Sequence, residues 1–588
     1  MKNNQLWYCY FMADIETKRH SLAHMLAMAV LDLRPDTKLG IGPTIENGFY
    51  YDFDFNGPPP GADCFEKLEK KMTKFIKGNF EFERREIPAD EAKKIFASQP
   101  YKLELIEELR KNKQLISIYK SGEFIDLCAG PHIDSTEDLK TVSFKLMKIA
   151  GAYWKGSEKN PMLTRIYAVA FDSPDELKNY IQMQEEAERR DHRKLGKELE
   201  IFTFSEEIGQ GLPIWLPNGT IIKDLLEDLA KKKEAIEGYQ RVSTPIIARE
   251  SLFIKSGHLP HYKESMYSPM DIDGENYYLK PMNCPFHHAV YASRPRSYRE
   301  LPLRLAEYGL CHRYEKSGEL QGLMRVRSME MNDAHIYVRP DQVKEEIKKV
   351  IELHEYYYNL FGVKKTKYRL SLHDKKELGE KYIDMPKAWV ENEKILREVL
   401  KELKVDYYEA ENEAAFYGPK IDIQIYSIIG KEYTLGTVQL DFAQPARFGL
   451  KYTNEKGKEE MPYVIHRAPL STHERFIGFL LEHYAGAFPV WLAPVQVEII
   501  AVSEKFNDYG KKITTILAKE DLRVKFNNDN ETLGKKIRNA EFQKMPYIIV
   551  VGEKEEKSGT IAVRERGKGD LGTMNIDDFI KKINLEIE

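Results

Sequence analysis

Two pairs of residues near the start of the chain have a spacing that could serve metal binding or proton transfer. His20 and His24 lie four residues apart in the run HSLAHMLAMAVLDL, and on a helix they would face the same way. Cys128 and His132 are also four residues apart, in DLCAGPH. Three imidazoles and a thiol can bind zinc, and neutral imidazoles can also shuttle protons. The spacing alone leaves open a zinc site, a metal-free catalytic site and ordinary core packing.

Arginines are concentrated in the segment Arg304–Tyr337, at positions 304, 313, 325 and 327. Glu315 follows Arg313 by two residues. Guanidinium forks match phosphate oxygens, and a carboxylate can accept a hydrogen bond from an exocyclic amine. A second segment, HRAPLSTHERFIGFLLEHY, carries Glu474 and Arg475 ahead of an apolar helical run, and a third, LKPMNCPFHH, contains Cys284. Each arginine taken singly fits a solvated surface pair better, so only the combination of segments indicates phosphate chemistry.

The chain that must position these residues has 588 residues, of which 42% are hydrophobic and 31% charged. This length predicts three or four domains. No stretch approaches the ~20 apolar residues of a membrane span, and the first residues lack the pattern of a signal peptide. The five cysteines form no CxxC pair, which favours a reducing compartment, so we expect a soluble cytoplasmic protein. The net charge of −4 gives no overall basic field for a nucleic-acid partner.

The pattern of elements predicts an α+β multidomain protein. The run from His20 to Leu33 has the apolar spacing of a helix, and the stretch 175–200 is polar nearly all round, which suits a connector between domains. Residues 200–489 contain many β-rich segments broken by Gly and Pro, which predicts a large antiparallel sheet flanked by helices. From residue 490 onward strands alternate with helices, which indicates an α/β domain with a parallel or mixed sheet.

These segments resemble the signature motifs of class II aminoacyl-tRNA synthetases. Arg304–Tyr337 resembles motif 2, the segment from His466 resembles motif 3, and VSTPII around Pro245 resembles motif 1, which forms the dimer interface of that class. KPMNC, MRVR, NDAHIY, AFYGPKID, TVQLDF and IHRA resemble threonyl-tRNA synthetases in particular, and the resemblance runs from about residue 17 to the end. It implies a homodimer that ligates L-threonine to tRNA(Thr) with ATP and edits seryl-tRNA(Thr) by hydrolysis.

The same resemblance implies the domain order. We expect an α+β editing domain over 1–170, a helical linker over 171–199, a class II catalytic domain over 200–489 and an α/β anticodon-binding domain over 490–588. The small N-terminal TGS domain of many family members is expected to be absent, because the residues ahead of the resemblance are too few to hold it.

The resemblance assigns the ATP site to the arginine-rich segments. Arg313 is expected to bind the α-phosphate and Glu315 the adenine amino group. Arg325 and Arg475 are expected to neutralise the γ-phosphate, so the three arginines would be catalytic, and Glu474 completes the ATP set. Mg²⁺ bound with ATP would share in stabilising the charge that spreads during in-line attack on the α-phosphorus.

Cys284, His335 and His466 match the ligands of the one zinc ion per subunit found in this family. They lie far apart in the chain, so no local spacing would identify them. The open zinc position takes the amino and hydroxyl groups of threonine and rejects valine, which lacks the hydroxyl. Residues implied to line the threonine pocket are Met282, Asp333, Tyr417 and Gln439. Serine keeps the hydroxyl and lacks one methyl, which discriminates by only ~1–3 kcal/mol, so a second, hydrolytic site is expected.

The remaining site residues also follow from the resemblance. Those implied to hydrolyse seryl-tRNA without metal are His20, His24, Lys102, Asp126, Cys128 and His132. Those implied to contact the anticodon are Asn530, Glu555 and Arg564. Side chains of these types can pair with the edges of splayed single-stranded bases.

Five residues depart from the family pattern, and two other functions stay open. Ser471 and Thr472 replace a Gly-Ser pair in motif 3, Met331 replaces a glutamine, Phe286 a glycine, and Thr532 a lysine. One alternative function is that of an RNA-binding paralogue that charges no tRNA. Another is that of a zinc-dependent hydrolase centred on the histidines and cysteine of the N-terminal pairs.

Overall fold

The computed structural model describes residues 3–364, 366–427, 430 and 432–587, with side chains from residue 15 onward except at position 260. The chain divides into two compact units, one ending at Glu185 and the other beginning at Glu186. Among the described residues, no helix is long and apolar enough to cross a membrane.

The first unit contains two antiparallel sheets with helices packed on them. Its strands are β1 Lys38–Leu39, β2 Thr44–Ile45, β3 Gly48–Asp54, β4 Glu83–Glu86, β5 Ser117–Ser121, β6 Phe124–Leu127, β7 Ser143–Tyr153 and β8 Met162–Phe171. Its helices are α1 Asn3–Leu33, α2 Phe65–Lys77, α3 Ala89–Ile95, α4 Pro100–Lys111 and α5 Pro174–Arg189, the last of which runs into the second unit. The larger sheet has the order β1-β3-β8-β7 with β2 paired to β3, and the smaller has the order β4-β5-β6.

Helix α1 contains the predicted helical run and packs its apolar residues into the core of this unit. Leu22, Leu26 and Ala29 are fully buried with Phe49 and Tyr51 of β3. This packing fixes the rotation of α1 about its axis and so determines where the histidines on the same helix point.

The second unit contains the remaining strands and helices. Its strands are β9 Phe202–Thr203, β10 Ile214–Trp215, β11 Gln240–Arg241, β12 Ile247–Arg249, β13 Met270–Ile272, β14 Glu275–Leu279, β15 Leu303–His312, β16 Ser328–Val338, β17 Thr366–Ser371, β18 Tyr407–Ala410, β19 Lys420–Tyr426, β20 Glu432–Asp441, β21 Tyr452–Thr453, β22 Glu459–Glu460, β23 Tyr463–Ala468, β24 Val497–Ala501, β25 Val524–Asn527, β26 Tyr547–Val551, β27 Thr560–Glu565 and β28 Gly569–Asn575. Its helices are α6 His192–Glu198, α7 Pro217–Ile236, α8 Glu250–Ser256, α9 His258–Tyr262, α10 Cys284–Ala292, α11 Val343–Leu360, α12 Pro386–Leu403, α13 Gln444–Phe448, α14 His473–Tyr484, α15 Asn507–Lys519, α16 Leu533–Phe542, α17 Glu553–Ser558 and α18 Ile576–Asn584.

An eight-stranded sheet with the order β11-β15-β16-β23-β20-β19-β17-β18 organises the middle of the chain. Its central pairs are antiparallel, and only the two outermost pairs, β11–β15 and β17–β18, are parallel. Ile336, Val438 and Ile465 belong to the same apolar core as residues of α7, α11, α12 and α14. Because side chains alternate along a strand, Asp333, His335, Gln439 and His466 point to the other face. The antiparallel sheet flanked by helices that the sequence predicts is confirmed.

The C-terminal part of the second unit has a five-stranded mixed sheet with the order β25-β24-β26-β27-β28. Strands β24, β25 and β26 are parallel, and β27 and β28 are antiparallel. Helices α15 and α16 connect the parallel strands, which agrees with the predicted α/β pattern.

The stretch expected to form one polar connector consists of two helices with different surroundings. Helix α5 has no buried residues, as the sequence predicts. Helix α6 begins at an Asp191 N-cap and buries His192 and Leu195, so it belongs to the core of the second unit. His192 accepts the backbone N–H of Leu323 at 3.1 Å and donates to Glu482 at 2.7 Å.

Candidate functional site

Three elements bring the predicted zinc ligands together. Strands β16 and β23 pair so that His335 lies opposite His466, with ring centroids 4.2 Å apart. Cys284 is the first residue of α10. One ligand atom from each of the three side chains lies within 4.8 Å of the others, and all three residues are buried.

The hydrogen bonds around these histidines leave one nitrogen of each imidazole available. Nε2 of His466 lies 3.0 Å from Asp441, whose other oxygen accepts the backbone N–H groups of Ala443 and Gln444. His466 therefore presents Nδ1 as a lone pair. Nε2 of His335 is buried and has no hydrogen-bond partner. A thiol, the Nδ1 lone pair of His466 and the unpartnered Nε2 of His335 are compatible with the donor set of a catalytic zinc site.

The local electrostatics also fit a cation. Burial, and then the carboxylates of Asp333 and Asp441, raise the pKa of the Cys284 thiol. Burial lowers the pKa of His335, so its imidazole is neutral and able to bind a metal. A thiolate in this place needs a nearby positive charge, which a bound divalent cation provides.

A cavity of about 380 Å³ opens beside Cys284 and His466, and we call it the central cavity. The sequence-predicted residues that line it are Met282, Cys284, Arg313, Asp333, Tyr417, Gln439, His466 and Arg475. The structure therefore brings the predicted threonine pocket, two zinc ligands and two of the three arginines to one cavity. Its volume is in the range of small-molecule sites. The third predicted ligand, His335, is fully buried beside His466.

Hydrogen bonds orient the polar groups of the predicted threonine pocket. Asn283 donates to one oxygen of Asp333 at 3.0 Å and leaves the other oxygen to accept from a ligand. The hydroxyl of Tyr417 donates to the amide oxygen of Gln439 at 2.5 Å, which leaves the Gln439 NH₂ group as a donor. A Cβ at Gly309 would lie 2.2 Å from the Asn283 amide oxygen, so this strand position needs glycine.

Sequence reasoning missed Asn283 and Asp441, which hold predicted site residues in place. The sequence offered only their positions as an indication of these roles. Asn283 precedes Cys284 in MNC, and Asp441 lies two residues after Gln439 on the same face of β20. A supporting hydrogen bond between distant segments has no local sequence pattern, so neither role could be assigned before the fold was known.

The arginines of the central cavity form a positively charged wall. Nε of Arg313 donates to the carbonyl of Pro281 at 3.2 Å, and Nε of Arg475 donates to the carbonyl of Met324 at 3.1 Å. Burial, and then the charges of Arg313 and Arg325, lower the pKa of Arg475. The guanidinium groups therefore repel one another, and an anion such as a phosphate chain between them would relieve this repulsion.

Three residues predicted to bind ATP lie outside the lining of the central cavity. Arg325 is half-exposed and pairs with Glu315 at 2.8 Å and with Glu319 at 2.9 Å. Glu474 is buried, accepts the backbone N–H of Glu330 at 3.1 Å, and has its pKa raised to about 7 by burial. Consecutive helical residues point about 100° apart, so Arg475 reaches the cavity while Glu474 turns toward β16. The placement of Glu474 supports a role in holding α14 against β16 and gives no support for contact with ATP.

The departures from the family pattern have different consequences. Ser471 lines the central cavity with a left-handed backbone, φ +52°. Thr472 caps α14 by accepting the backbone N–H of Arg475 at 3.1 Å. Met331 lines the cavity, whereas Phe286 packs with Phe253 and other apolar residues and leaves the cavity clear.

The first unit brings its two predicted pairs into one cluster. Sγ of Cys128 lies 3.3 Å from Nε2 of both His20 and His132. His20 donates from Nδ1 to the carbonyl of Pro131 at 3.1 Å. The Ser21 hydroxyl donates to the carbonyl of Thr17, so it accepts from Nδ1 of His132 at 3.0 Å. Both histidines therefore present Nε2 lone pairs toward the thiol.

His24, Lys102 and Asp126 form the buried side of this cluster. Asp126 pairs with Lys102 at 2.5 Å, lies 3.6 Å from His24, and accepts from the Tyr51 hydroxyl at 2.5 Å. Burial raises the pKa of Cys128 to about 11, so the thiol is protonated near neutral pH. Burial lowers the pKa of His20 and His24, so these imidazoles are neutral near neutral pH. All six predicted editing residues lie in this cluster.

Two further groups of potential metal ligands are present among the described residues. His20, His24, Cys128 and His132 have donor atoms within 4.8 Å of one another, so their geometry also fits zinc. Glu227, Glu330 and His473 form the other group. Each carboxylate of this group pairs with a lysine at 2.7 Å, so its negative charge is already balanced.

The three predicted anticodon residues occupy different parts of the C-terminal sheet. Asn530 follows β25, and Glu555 lies in α17, which follows β26. Both are therefore near the carboxyl ends of parallel strands. Arg564 on β27 is in register with Ile548 of β26, toward the other end of that strand. Oε2 of Glu555 accepts the backbone N–H of Gly552 at 3.0 Å, which gives this residue a local structural role as well.

Comparisons with known proteins agree with the sequence and the geometry. Residues 266–484 match the model of the tRNA synthetase class II core domain (G, H, P, S and T). Residues 496–585 match the anticodon binding domain, and residues 116–167 match the threonyl and alanyl tRNA synthetase second additional domain.

Two bacterial proteins illustrate the similarity along the whole chain. The threonine–tRNA ligase of Geobacillus sp. (strain WCH70) is 48% identical over 576 residues, which cover 97% of this chain and 89% of that protein. The threonine–tRNA ligase 1 of Bacillus subtilis (strain 168) is 47% identical over 575 residues, with 97% and 89% covered.

Two solved structures share the fold. A structure described as the RNA binding domain of threonyl-tRNA synthetase from Cryptosporidium parvum Iowa II has a TM-score of 0.64 and 34% identity, and covers 67% of this chain and 98% of its own. A putative threonyl-tRNA synthetase from Aeropyrum pernix has a TM-score of 0.60 and 32% identity, with 68% and 94% covered. With identity of 48% across nearly all of its length, together with the class II core, anticodon-binding and second additional domains, this chain belongs to the threonyl-tRNA synthetase family.

Proposed function

We propose that this protein activates L-threonine with ATP and transfers it to tRNA(Thr), releasing diphosphate and AMP. The observation that carries the proposal is the convergence of Cys284, His335 and His466 beside a cavity that also holds Arg313 and Arg475. One wall thus has the chemistry to select an amino acid, and another has the charge to hold a nucleotide.

In the first step, a carboxylate oxygen of threonine attacks the α-phosphorus of ATP and the bond to diphosphate breaks. Arg313 holds the α-phosphate, Arg475 holds the γ-phosphate, and Mg²⁺ accompanies ATP. Arg325 and Glu315 face each other at 2.8 Å, and we propose that they separate when ATP binds, Glu315 toward the adenine amino group and Arg325 toward the γ-phosphate. A ribose hydroxyl of the tRNA terminus then attacks the carbonyl carbon of the threonyl-adenylate and releases AMP.

The amino acid is selected beside the proposed zinc centre, for which Cys284, His335 and His466 are the ligands. When bound, zinc supplies a Lewis-acid position for the amino and hydroxyl groups of threonine. Asp333 accepts from the threonine hydroxyl with the oxygen that Asn283 leaves free, and the Gln439 NH₂ group is a further donor held by Tyr417. Met282 lines the same cavity.

Amino-acid-dependent exchange of diphosphate into ATP tests the proposed activity. Threonine should support exchange, serine should support it about 10- to 200-fold less well, and valine about 10⁴-fold less well, because a site that binds a hydroxyl rejects an analogue without one. Absence of exchange at saturating threonine, in protein that still binds tRNA(Thr), would instead favour the non-charging RNA-binding paralogue.

Ser471→Gly should increase stability and improve ATP binding. A left-handed backbone costs a non-glycine residue ~1–2 kcal/mol, and the extra unfolded-state freedom of glycine offsets ~0.5–1 kcal/mol of that. We therefore expect a net gain of up to ~1.5 kcal/mol in unfolding free energy, measured by denaturant unfolding. Removing the Cβ from the cavity wall should also lower the KM for ATP.

Ala485→Gly is the matched control for Ser471→Gly. Ala485 has φ +50° and ends α14 outside the lining of the central cavity. The Ala485→Gly variant should gain similar stability, and its KM for ATP should be unchanged. An equal drop in KM for both variants, or none for Ser471→Gly, would contradict the assignment of Ser471 to the nucleotide wall.

We propose that the cluster in the first unit edits by hydrolysing the ester of seryl-tRNA(Thr) without a metal. The neutral imidazoles of His20, His24 and His132 can accept a proton from water, and the protonated Cys128 thiol is a poor nucleophile at neutral pH. Lys102 and Asp126 hold the buried side of the site. Metal analysis separates this proposal from a zinc-dependent hydrolase: one zinc per chain supports it, whereas two zincs, with hydrolysis lost on chelation, would support the alternative.

His24→Ala should leave threonine charging intact and allow seryl-tRNA(Thr) to accumulate. Removing a residue that transfers protons should slow hydrolysis about 10²- to 10⁴-fold, measured as the decay of preformed seryl-tRNA(Thr). Asp32→Asn, about two turns further along α1 and paired with Lys71, is the control and should edit normally. If His24→Ala forms threonyl-tRNA(Thr) without seryl-tRNA(Thr) in the presence of serine, the assignment of His24 to the editing site is contradicted.

The remaining parts of the proposal concern partners and organisation. Asn530, Glu555 and Arg564 contact the anticodon, with Arg564 reading a nucleotide apart from the other two.

The chain works as a cytoplasmic homodimer through the motif 1 region, where Ile236, Ile246 and Ile247 are exposed. Residues 1–170 form the editing domain, 171–199 the linker, 200–489 the catalytic domain and 490–588 the anticodon-binding domain.

A further inference from the structure

A third histidine lies directly behind one of the proposed zinc ligands. Nδ1 of His287 is 2.7 Å from Nδ1 of His335, and Nε2 of His287 is 3.1 Å from Glu307. His287 and His335 are fully buried, and Glu307 is 4% exposed. Two facing ring nitrogens at this distance require one proton between them, so one imidazole must donate and the other accept.

The surroundings of Glu307 determine which imidazole donates. One oxygen of this carboxylate accepts the backbone N–H of Thr244 at 2.6 Å. The other accepts the Thr244 hydroxyl at 2.9 Å and lies 3.7 Å from the ammonium group of Lys280. A carboxylate held by these donors can only accept from His287, so the proton of His287 is on Nε2. Nδ1 of His287 is then a lone pair, which accepts the Nδ1 proton of His335.

This order of hydrogen bonds leaves Nε2 of His335 without a proton. That nitrogen is buried, lacks any hydrogen-bond partner, and belongs to the group formed with Cys284 and His466. With the opposite order, His287 would donate to His335, and Nε2 of His335 would carry a proton and could not bind a metal. The two arrangements thus differ in whether His335 is a ligand at all.

We infer that His287 and Glu307 are positioning residues that fix His335 in the tautomer able to bind zinc. The inference rests on the proposed zinc centre and deepens it. Helix α10 carries both a proposed zinc ligand and a positioning residue. Cys284 begins the helix, and His287 follows three residues later on the same side. Strand β15 supplies Glu307 beside β16, where Glu307 is in register with Asp333.

Glu307→Gln is the sharpest test, because it keeps the shape and changes the proton order. The amide oxygen should stay opposite the Thr244 N–H, which turns the NH₂ group toward His287 and makes it a donor to Nε2. His287 would then carry its proton on Nδ1, and His335 would be forced into the tautomer that cannot bind. Zinc affinity, measured by competition with a chromophoric chelator, should fall about 10- to 100-fold.

Two substitutions of His287 separate its two hydrogen bonds. In His287→Asn the amide oxygen can occupy the place of Nδ1 and accept from His335, so zinc affinity should stay close to wild type. In His287→Gln the amide reaches toward Glu307 and loses contact with His335, so affinity should fall as in Glu307→Gln. This comparison decides the question even if Glu307→Gln does not fold, since equal affinities of the Asn and Gln variants would overturn the inference.

His288→Asn is the matched control, because His288 is the next residue and is also fully buried. Its Nδ1 contacts the Tyr337 hydroxyl at 3.0 Å, so zinc affinity should be unchanged. Thermal unfolding of the metal-free variants monitors packing, and the absorption of the Co²⁺-loaded forms shows whether the ligand set is retained. If Glu307→Gln and His287→Gln both bind zinc as tightly as the wild-type protein, the inference is overturned. If the wild-type protein itself binds no zinc, the proposed zinc centre is refuted.

Discussion

Replacing Cys284 by serine should release the zinc and abolish threonine activation while leaving hydrolysis of seryl-tRNA(Thr) at its normal rate. Loss of a residue that hydrogen-bonds to a metal ligand weakens metal binding about 10- to 100-fold, so loss of a ligand itself should exceed this range. Without the metal, the hydroxyl of threonine loses its main point of recognition. We expect threonine-dependent ATP–diphosphate exchange to fall by at least ~100-fold, with zinc content measured on the same preparation.

The selectivity of this effect is what makes the Cys284→Ser result informative. The proposed ATP site uses Arg313 and Arg475, so binding of ATP should persist. ATP should therefore still raise the unfolding temperature of the variant, while threonine should not. The proposed editing site is the cluster of His20 and Cys128, so editing should be unaffected. A general loss of all three activities would indicate misfolding.

Cys311→Ser is the matched control for this experiment. Cys311 is also fully buried, and its thiol lies 3.6 Å from the amide oxygen of Asn283, but it belongs to none of the metal-binding groups of the described chain. It should retain zinc and activation. Full exchange activity in zinc-free Cys284→Ser would contradict the role of the metal in selecting threonine.

Local sequence patterns predicted the elements of this fold better than they predicted the site. The apolar spacing from His20 to Leu33 correctly indicated α1, and the strand–helix alternation after residue 490 correctly indicated the mixed C-terminal sheet. Both signals arise from residues close in the chain. The convergence of Cys284, His335 and His466 depends on the register between β16 and β23 and on where α10 begins, and no local pattern records such register.

The resemblance to a family supplied these ligands, but it could not supply the groups that orient them. Asp441, His287 and Asn283 act through hydrogen bonds to residues on other elements, so they become recognisable only when the elements are assembled. The expected contact of Glu474 with ATP stays a prediction, which its placement in the structure does not support. Its position in motif 3 indicated contact with ATP, yet one step along α14 turns it about 100° from Arg475, toward the backbone of β16.

Replacing Arg313 by alanine should remove activation while leaving the zinc and the fold in place. A preorganised donor aimed at developing charge contributes about 10²- to 10³-fold to kcat, and we expect a loss of this size in threonine-dependent exchange. Arg313→Lys should be intermediate, because lysine keeps the charge and loses the planar fork that matches phosphate oxygens. Arg313→Ala loses the hydrogen bond to the carbonyl of Pro281 and a long contact with the Met331 sulfur at 4.0 Å, so stability should fall by only ~1 kcal/mol.

Comparison of Arg313→Ala with Cys284→Ser should separate the two proposed functions of the central cavity, ATP binding and threonine selection. The arginine variant should bind zinc normally and still be stabilised by threonine, but it should lose most of its stabilisation by ATP. The exposed Arg299, whose Nε contacts the Tyr298 hydroxyl, provides the charge-matched control, and Arg299→Ala should keep normal exchange. Near-wild-type exchange in Arg313→Ala would remove this residue from the phosphate site, and loss of zinc in this variant would mean that the two walls of the cavity are not independent.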